Sequence, residues 1–248
     1  HRAYLKGLDI SVMADPISDM DEMNIIGHYL AKGKDVTPVV KNLIPLRDAV
    51  KEHASMHGTG SYRFILRTTA YLFAEHQLDV SEYFYVSAEN AKQRIAGLLQ
   101  MEQFATFTKR LFSGLKYRPE QEKEKVMQAG KQLIEFVLKS NIFFNEQQLK
   151  ETFSGFMNGV DVSKYARPEY SPQLMQILRE GLQKGVDLSV FITSETEMYP
   201  AILRHILRML TGDIPVQNLH RLNLQWNQKA GFDFVKTFNR ATDIMTRY

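Results

Sequence analysis

The sequence contains no cysteine and no long uninterrupted hydrophobic run. Without cysteine the chain has no disulfide, no thiolate zinc site and no cysteine nucleophile, which fits a reducing compartment. No apolar run approaches the roughly 18 residues that a membrane-spanning helix needs. The opening residues HRAYLKGLDIS (1–11) include no apolar stretch typical of a signal peptide. We therefore expect a cytoplasmic protein that does not enter a membrane.

Signals for β-sheet are also scarce, because the chain has no strong alternation of apolar and polar residues and no hairpin dipeptide. Apolar residues instead recur at spacings of three and four, which indicates amphipathic helices. The longest helical stretches cover 59–77, 87–115 and 120–140. A chain of 248 residues is long enough to bury a substantial core. These patterns predict an all-α protein.

One phrase occurs twice within residues 159–192, as Gly-Val-Asp-Val-Ser and, 26 residues later, as Gly-Val-Asp-Leu-Ser. Residues 7–40 align with this segment without a gap. The identities in this fixed register include Gly7/Gly159, Asp9/Asp161, Ser11/Ser163, Ala14/Ala166, Pro16/Pro168, Met23/Met175, Ile25/Ile177, Leu30/Leu182, Gly33/Gly185 and Asp35/Asp187. Self-similarity at a fixed period is typical of repeat architectures.

The physical features of one unit explain why the phrase recurs. Ser171 before Pro172 is a favourable helix start, because the hydroxyl caps free N–H groups and proline suits the first helical position. An apolar stripe follows, and Gly185 then supplies the left-handed cap that ends many helices. We expect a helix of about 13 residues, then a tight bend in which Asp187 and Ser189 bond to nearby backbone N–H groups.

The glycine, aspartate and serine of each copy therefore have two interpretations. A ligand or metal loop is the functional one, but one carboxylate and one hydroxyl fall short of the six or more oxygens that calcium needs. We favour the structural interpretation, in which these residues form capped bends. The set comprises Gly7, Asp9, Ser11, Gly33, Asp35, Asp79, Ser81, Gly159, Asp161, Ser163, Gly185, Asp187 and Ser189.

The phrases at 7–37 and 159–189 resemble a short repeat of uncharacterised bacterial proteins, often found in mobile-element proteins of Gram-positive bacteria. The residues that carry the resemblance are GLDISVMADPISDMDEMNIIGHYLAKGKDVT and GVDVSKYARPEYSPQLMQILREGLQKGVDLS, which cover about a quarter of the chain. The consensus of the repeat is close to GLDVSIYAKPEFDxEQMxxIRxGLExG. The resemblance implies a helical-repeat architecture and transfers no catalytic residue.

Together these patterns predict an α-solenoid-like array with a period of about 26 residues and a central region of longer helices. We divide the chain into N-terminal repeats at 1–58, central helices at 59–143, and C-terminal repeats with a basic cap at 144–248. A single continuous domain is the alternative to this division.

A possible metal site involves His53 and His57, which lie four residues apart beside Glu52. Two histidines at that spacing share a face of a continuous helix and are able to bind a transition metal. The sequence offers no evident third ligand and does not match HExxH. The alternative is a polar helix end that stops at Gly58.

The C-terminal part of the chain carries the basic character. Residues 201–248 contain seven lysines and arginines against three acids, whereas the whole chain has a net charge of only +3. Basic and aromatic residues alternate there, and such residues neutralise phosphates and stack on bases. The candidates are Arg221, Trp226, Lys229, Lys236 and Arg240. The alternative is a capping helix whose aromatic residues face the core.

Three hypotheses for function follow, in order of preference. The first is a non-catalytic helical-repeat scaffold that binds a macromolecular partner, most simply a protein, because stacked units create an extended surface. The second is a nucleic-acid-binding protein that uses the basic C-terminal residues. The third is an enzyme of unknown class, for which no convergent catalytic set is visible. We expect no cofactor.

Overall fold

The computed structural model describes residues 19–53, 56–87, 89–140, 142–193 and 200–213, together with Thr196, Asp233 and Lys236. The described residues form helices joined by turns and loops and contain no strand, so the all-α prediction is confirmed. None of the described helices is long and apolar enough to cross a membrane. The chain divides into two compact units, 1–149 and 150–248.

The first unit holds the longer helices. In chain order the described helices are α1 (Met20–Leu30), α2 (Thr37–Lys41), α3 (Ile44–His53), α4 (Met56–His76), α5 (Ala91–Ala96), α6 (Leu98–Gly114) and α7 (Glu120–Ser140). Two short 3₁₀ turns, Ser81–Phe84 and Leu115–Tyr117, lie between them. Helices α4 and α6 make the most extensive contact and bury Ile65, Leu66 and Phe104 completely.

The helix boundaries follow from local chemistry. Asp19 caps α1 by accepting hydrogen bonds from the N–H groups of Asp21 and Glu22, and the Glu22 carboxylate accepts from the Asp19 N–H at 2.8 Å. This reciprocal arrangement is a capping box, which satisfies backbone donors that a helix start leaves free. Helix α7 buries Val126, Leu133 and other residues of one stripe.

The sequence predicted one helix over 87–115, whereas the structure has α5 and α6 with a break at Gly97. A Cβ atom at Gly97 would lie only 3.0 Å from the ring of Phe143. The break therefore brings the backbone against a side chain from a distant part of the chain, and glycine permits that approach.

The second unit contains shorter helices in a regular order. Most of α8 (Glu146–Met157) belongs to it, followed by the 3₁₀ turn Val162–Lys164, α9 (Pro172–Gln183), the 3₁₀ turn Leu188–Phe191 and α10 (Ala201–Leu210). Ser171 caps α9 by accepting from the Leu174 N–H at 3.2 Å. Each helix turns an apolar stripe inward, and that of α10 includes Ile202, Leu203, Ile206 and Leu207.

Candidate functional site

Four segments that follow helices adopt the same local structure, and we name each corner by its first residue. They are the Gly33 corner (33–39), the Gln77 corner (77–83), the Gly159 corner (159–165) and the Gly185 corner (185–191). Each begins with a residue in the left-handed region, with φ of 72°, 55°, 67° and 75° respectively. Glycine adopts this conformation without strain, whereas the Cβ of Gln77 makes it unfavourable there.

The aspartate two residues later shapes each corner. Its Oδ1 atom accepts a hydrogen bond from the backbone N–H two residues further on. The four pairs are Asp35 with Thr37 at 2.9 Å, Asp79 with Ser81 at 2.8 Å, Asp161 with Ser163 at 3.1 Å, and Asp187 with Ser189 at 3.0 Å. Each aspartate thus turns the chain sharply after its helix and satisfies a backbone donor at the start of the next short helix or turn.

Two apolar residues anchor every corner. The residue after each aspartate is buried, and so is the residue three positions beyond it. These pairs are Val36 with Val39, Val80 with Tyr83, Val162 with Tyr165, and Leu188 with Phe191. In the second unit a helical glycine makes room for them, because a Cβ at Gly155 would collide with Tyr165 and one at Gly181 would lie 3.0 Å from Leu188.

Two ion pairs of the second unit involve its corners, one between the Gly159 and Gly185 corners and one from the residue before the Gly185 corner to the residue after Gly212. The Lys164 ammonium lies 2.9 Å from Asp187 Oδ2, and the Lys184 ammonium lies 3.1 Å from Asp213 Oδ2. Burial raises the pKa of Asp187, but hydrogen bonds from Ser189 and Lys164 outweigh burial and leave this pKa below its usual value. The aspartate is therefore held ionised, in contact with both its own corner and the preceding one.

The first unit has related links at its two corners. Lys34 of the Gly33 corner lies 2.6 Å from Glu75 Oε2, just before the Gln77 corner. Asn42 Nδ2 donates to Ser81 Oγ at 3.0 Å. The side chains after the Gly33 corner therefore contact the Gln77 corner, although 39 residues separate Asn42 from Ser81.

A groove of about 500 Å³ adjoins the Gln77 corner. Its lining residues come from three parts of the first unit and are Asn42, Ser81, Glu82, Tyr83, Tyr85 and Leu138. Glu82 is exposed, and Tyr85 is 52% exposed. Sequence reasoning missed this groove, because only folding brings Asn42 and Leu138 beside the corner.

Three further predicted corner residues, Gly7, Asp9 and Ser11, lie outside the described residues. Residues Gly159, Asp161 and Ser163, which align with them, form the Gly159 corner.

The two candidate metal ligands do not share one helix. His53 is the last residue of α3, whereas His57 lies in the first turn of α4. The His53 Nε2 atom is 3.6 Å from Glu52 Oε1. Across the described side chains, no group of three His, Asp or Glu residues is placed to hold a metal ion.

Most of the candidate nucleic-acid residues, Arg221, Trp226, Lys229 and Arg240, lie outside the described part of the chain. Lys236 is described and exposed, and its backbone N–H donates to Asp233 Oδ1 at 2.9 Å. The surplus of basic residues in the C-terminal sequence therefore remains a sequence observation.

A buried charged cluster in the first unit also escaped sequence reasoning. Glu22 is fully buried, and its carboxylate accepts from the Arg47 guanidinium at 2.8 Å and from the Tyr62 hydroxyl at 2.5 Å. Burial and the contact with Glu22 raise the pKa of Tyr62 far above its usual value. The Asp-x-x-Glu spacing at Asp19 signals only the capping box. This cluster ties α1, α3 and α4 together.

Comparisons of the chain with protein-family models, curated proteins and solved structures found no match.

Proposed function

We propose that this chain is a non-catalytic helical-repeat scaffold that binds a macromolecular partner, most simply a protein. In this proposal the repeating unit is one helix plus one corner, and units stack with a spacing of about 26 residues. The resemblance to the bacterial repeat found in mobile-element proteins belongs to the same proposal. A chain without cysteine needs no oxidising compartment, so we place its action in the cytoplasm.

The observation that carries the proposal is the ion pair between the two successive corners of the second unit, Lys164 with Asp187. The left-handed glycines of the second unit, Gly159, Gly185 and Gly212, each follow a helix and stand 26 and 27 residues apart. A link between neighbouring units is what a quasi-one-dimensional stack requires, because each unit buries its apolar stripe against the next one.

The corners themselves do not suit catalysis. Each aspartate already accepts the backbone N–H of its own corner, and Asp187 also accepts from Ser189 Oγ at 2.6 Å and from Lys164. A general base needs a free lone pair directed at a substrate proton. Both oxygens of the Asp187 carboxylate are instead engaged in holding the fold, which supports a structural role for this aspartate.

Native purification tests the proposal. The tagged full-length chain, expressed in cells that encode it, should retain a protein partner in a fixed ratio after nuclease treatment and moderate salt. Recovery of the chain alone, or of nucleic acid instead of protein, would contradict this proposal.

The second candidate is nucleic-acid binding by the basic C-terminal residues. The excess of lysine and arginine over acids in residues 201–248 favours it. Nucleic-acid binding predicts salt-dependent retention of the chain on DNA or RNA. This retention should disappear when Arg221, Lys229, Lys236 and Arg240 are changed to alanine. Retention that survives these four changes would count against it.

A further inference from the structure

We propose that the groove beside the Gln77 corner is the docking site for a basic side chain of the protein partner, preferably arginine. Glu82 would be its counter-ion and Tyr85 the ring on which it lies. The inference rests on the proposed function, since it names the chemistry of that partner.

The charge of the groove favours a cation. Its six lining residues include one carboxylate, that of Glu82, and no lysine, arginine or histidine. Within the part of the chain that the structure describes, Glu82 makes no ion pair. A carboxylate with an open approach and no intramolecular counter-ion complements a positively charged group.

The hydrogen-bonding groups of the groove also favour a donor-rich ligand. One N–H of the Asn42 amide donates to Ser81 Oγ. The Tyr83 hydroxyl donates to the Ile142 carbonyl at 3.3 Å. Acceptor capacity remains for a ligand on the Asn42 amide oxygen and on the Glu82 carboxylate, which carries the only charge among the lining residues. A guanidinium carries five donors and no acceptor, so it fits this arrangement.

The exposed ring of Tyr85 supplies the second contact. Elsewhere the chain places its own cations over rings, as with Arg94 over Phe143 at 5.1 Å and Lys109 over Phe64 at 5.0 Å. Among the described residues no cation lies over Tyr85. Its open face is therefore available for a cation–π contact with a ligand.

The groove is held in shape before any ligand arrives. Asp79 Oδ1 accepts a hydrogen bond from the Ser81 backbone N–H at 2.8 Å. The Tyr83 ring packs against the Phe104 ring, with the two centroids 4.4 Å apart. A preformed site avoids much of the entropy cost of ordering side chains on binding. Its volume of about 500 Å³ accommodates one long side chain with solvent.

The test uses the purified full-length chain, labelled with ¹⁵N, and two probes. One probe is acetyl-Gly-Arg-Gly-amide, and the other carries citrulline, the neutral isostere of arginine. The arginine probe should shift resonances of residues 81–85, and the citrulline probe should bind about tenfold more weakly because it lacks the charge.

Two substitutions with matched controls make the test specific. Glu82→Gln keeps the shape of the side chain but removes its charge, and should reduce arginine binding to the level of citrulline. Glu124→Gln, at an exposed glutamate of α7, changes the net charge equally and should leave binding unchanged. Tyr85→Leu should weaken binding, whereas Tyr117→Leu, at another exposed tyrosine, should not.

The proposal is overturned if both probes bind equally, if Glu82→Gln behaves like Glu124→Gln, or if the shifts fall away from residues 81–85. A protein partner recovered from cells while these peptides fail would overturn the docking chemistry and leave the proposed function standing. If no protein partner is recovered from cells while the arginine probe still binds at residues 81–85, the proposed function is overturned and the docking chemistry stands.

Discussion

Asp187 accepts a hydrogen bond from the Ser189 backbone N–H within its own corner and forms an ion pair with Lys164 of the preceding corner. One carboxylate therefore contacts two successive corners. Asp187→Ala should lower the free energy of unfolding by about 1–2 kcal/mol, because it leaves a capped backbone donor without its acceptor. Urea unfolding measures this loss.

Lys164→Met is the matched comparison, since it removes only the ion pair. Its ammonium is exposed, and exposed pairs contribute little. We expect a smaller loss for this variant than for Asp187→Ala. Equal losses would mean that the corner hydrogen bond does not carry the effect.

The stability of the second unit should fall in acid. Hydrogen bonds from Thr211 and Lys184 lower the pKa of Asp213, and the pKa of Asp187 is also lowered. An aspartate whose pKa is lower in the folded state than in the unfolded chain stabilises the fold fully above its unfolded pKa of about 3.9. This stabilisation is lost as the pH falls through the pKa of the folded state. We expect the free energies of unfolding of the natural chain and of Asp187→Asn, measured in urea, to differ less at about pH 3 than at about pH 6. A difference that stays constant with pH would contradict this linkage.

The Gln77 corner offers a simple route to stabilisation. Gln77 has a φ of 55°, a conformation that disfavours any residue with a Cβ. Gln77→Gly should raise the free energy of unfolding by up to about 1 kcal/mol, because the relief of backbone strain in the folded state exceeds the cost of the added entropy of the unfolded chain.

The reverse change at an equivalent position provides the control. Gly185 has a φ of 75°, and no atom lies within 4 Å of a Cβ built there. Gly185→Ala should therefore cost about 1 kcal/mol through backbone strain alone. Thermal or urea unfolding measures both variants, and effects of the same sign would refute the shared geometry of the corners.

The buried cluster around Glu22 should be sensitive to truncation. Arg47→Ala leaves the Glu22 carboxylate buried without its cation, which typically costs about 3–5 kcal/mol. Lys34→Ala breaks the exposed pair with Glu75 and should cost at most about 1 kcal/mol. Chemical denaturation compares the two variants directly. Similar losses would show that the Glu22–Arg47 pair does not anchor the first unit.

Features set by neighbouring residues were predictable from the sequence. The all-α class followed from apolar periodicity, and Ser171 with Pro172 marked the start of α9 because capping involves residues only a few positions apart. The Gln77 corner lacks the expected glycine, yet its Leu-Asp-Val-Ser phrase was visible because the aspartate and the buried valine are local features too.

Features that depend on distant side chains were not predictable. The break at Gly97 depends on the ring of Phe143, and the Glu22 cluster joins residues 25 and 40 positions apart. Apolar spacing indicates which face of a helix is buried but does not identify the residues packed against it. The groove at Ser81 escaped for the same reason.

Site-specific crosslinking tests the central claim most directly. The full-length chain would carry a photoreactive phenylalanine in place of Tyr85, and in a second sample in place of Tyr117, which is 80% exposed and does not line the groove. In cells that encode the chain, we predict one discrete protein adduct from position 85 and none from position 117. An absence of adduct at position 85, or equal adducts at both positions, would contradict a scaffold that binds its partner at the Gln77 corner.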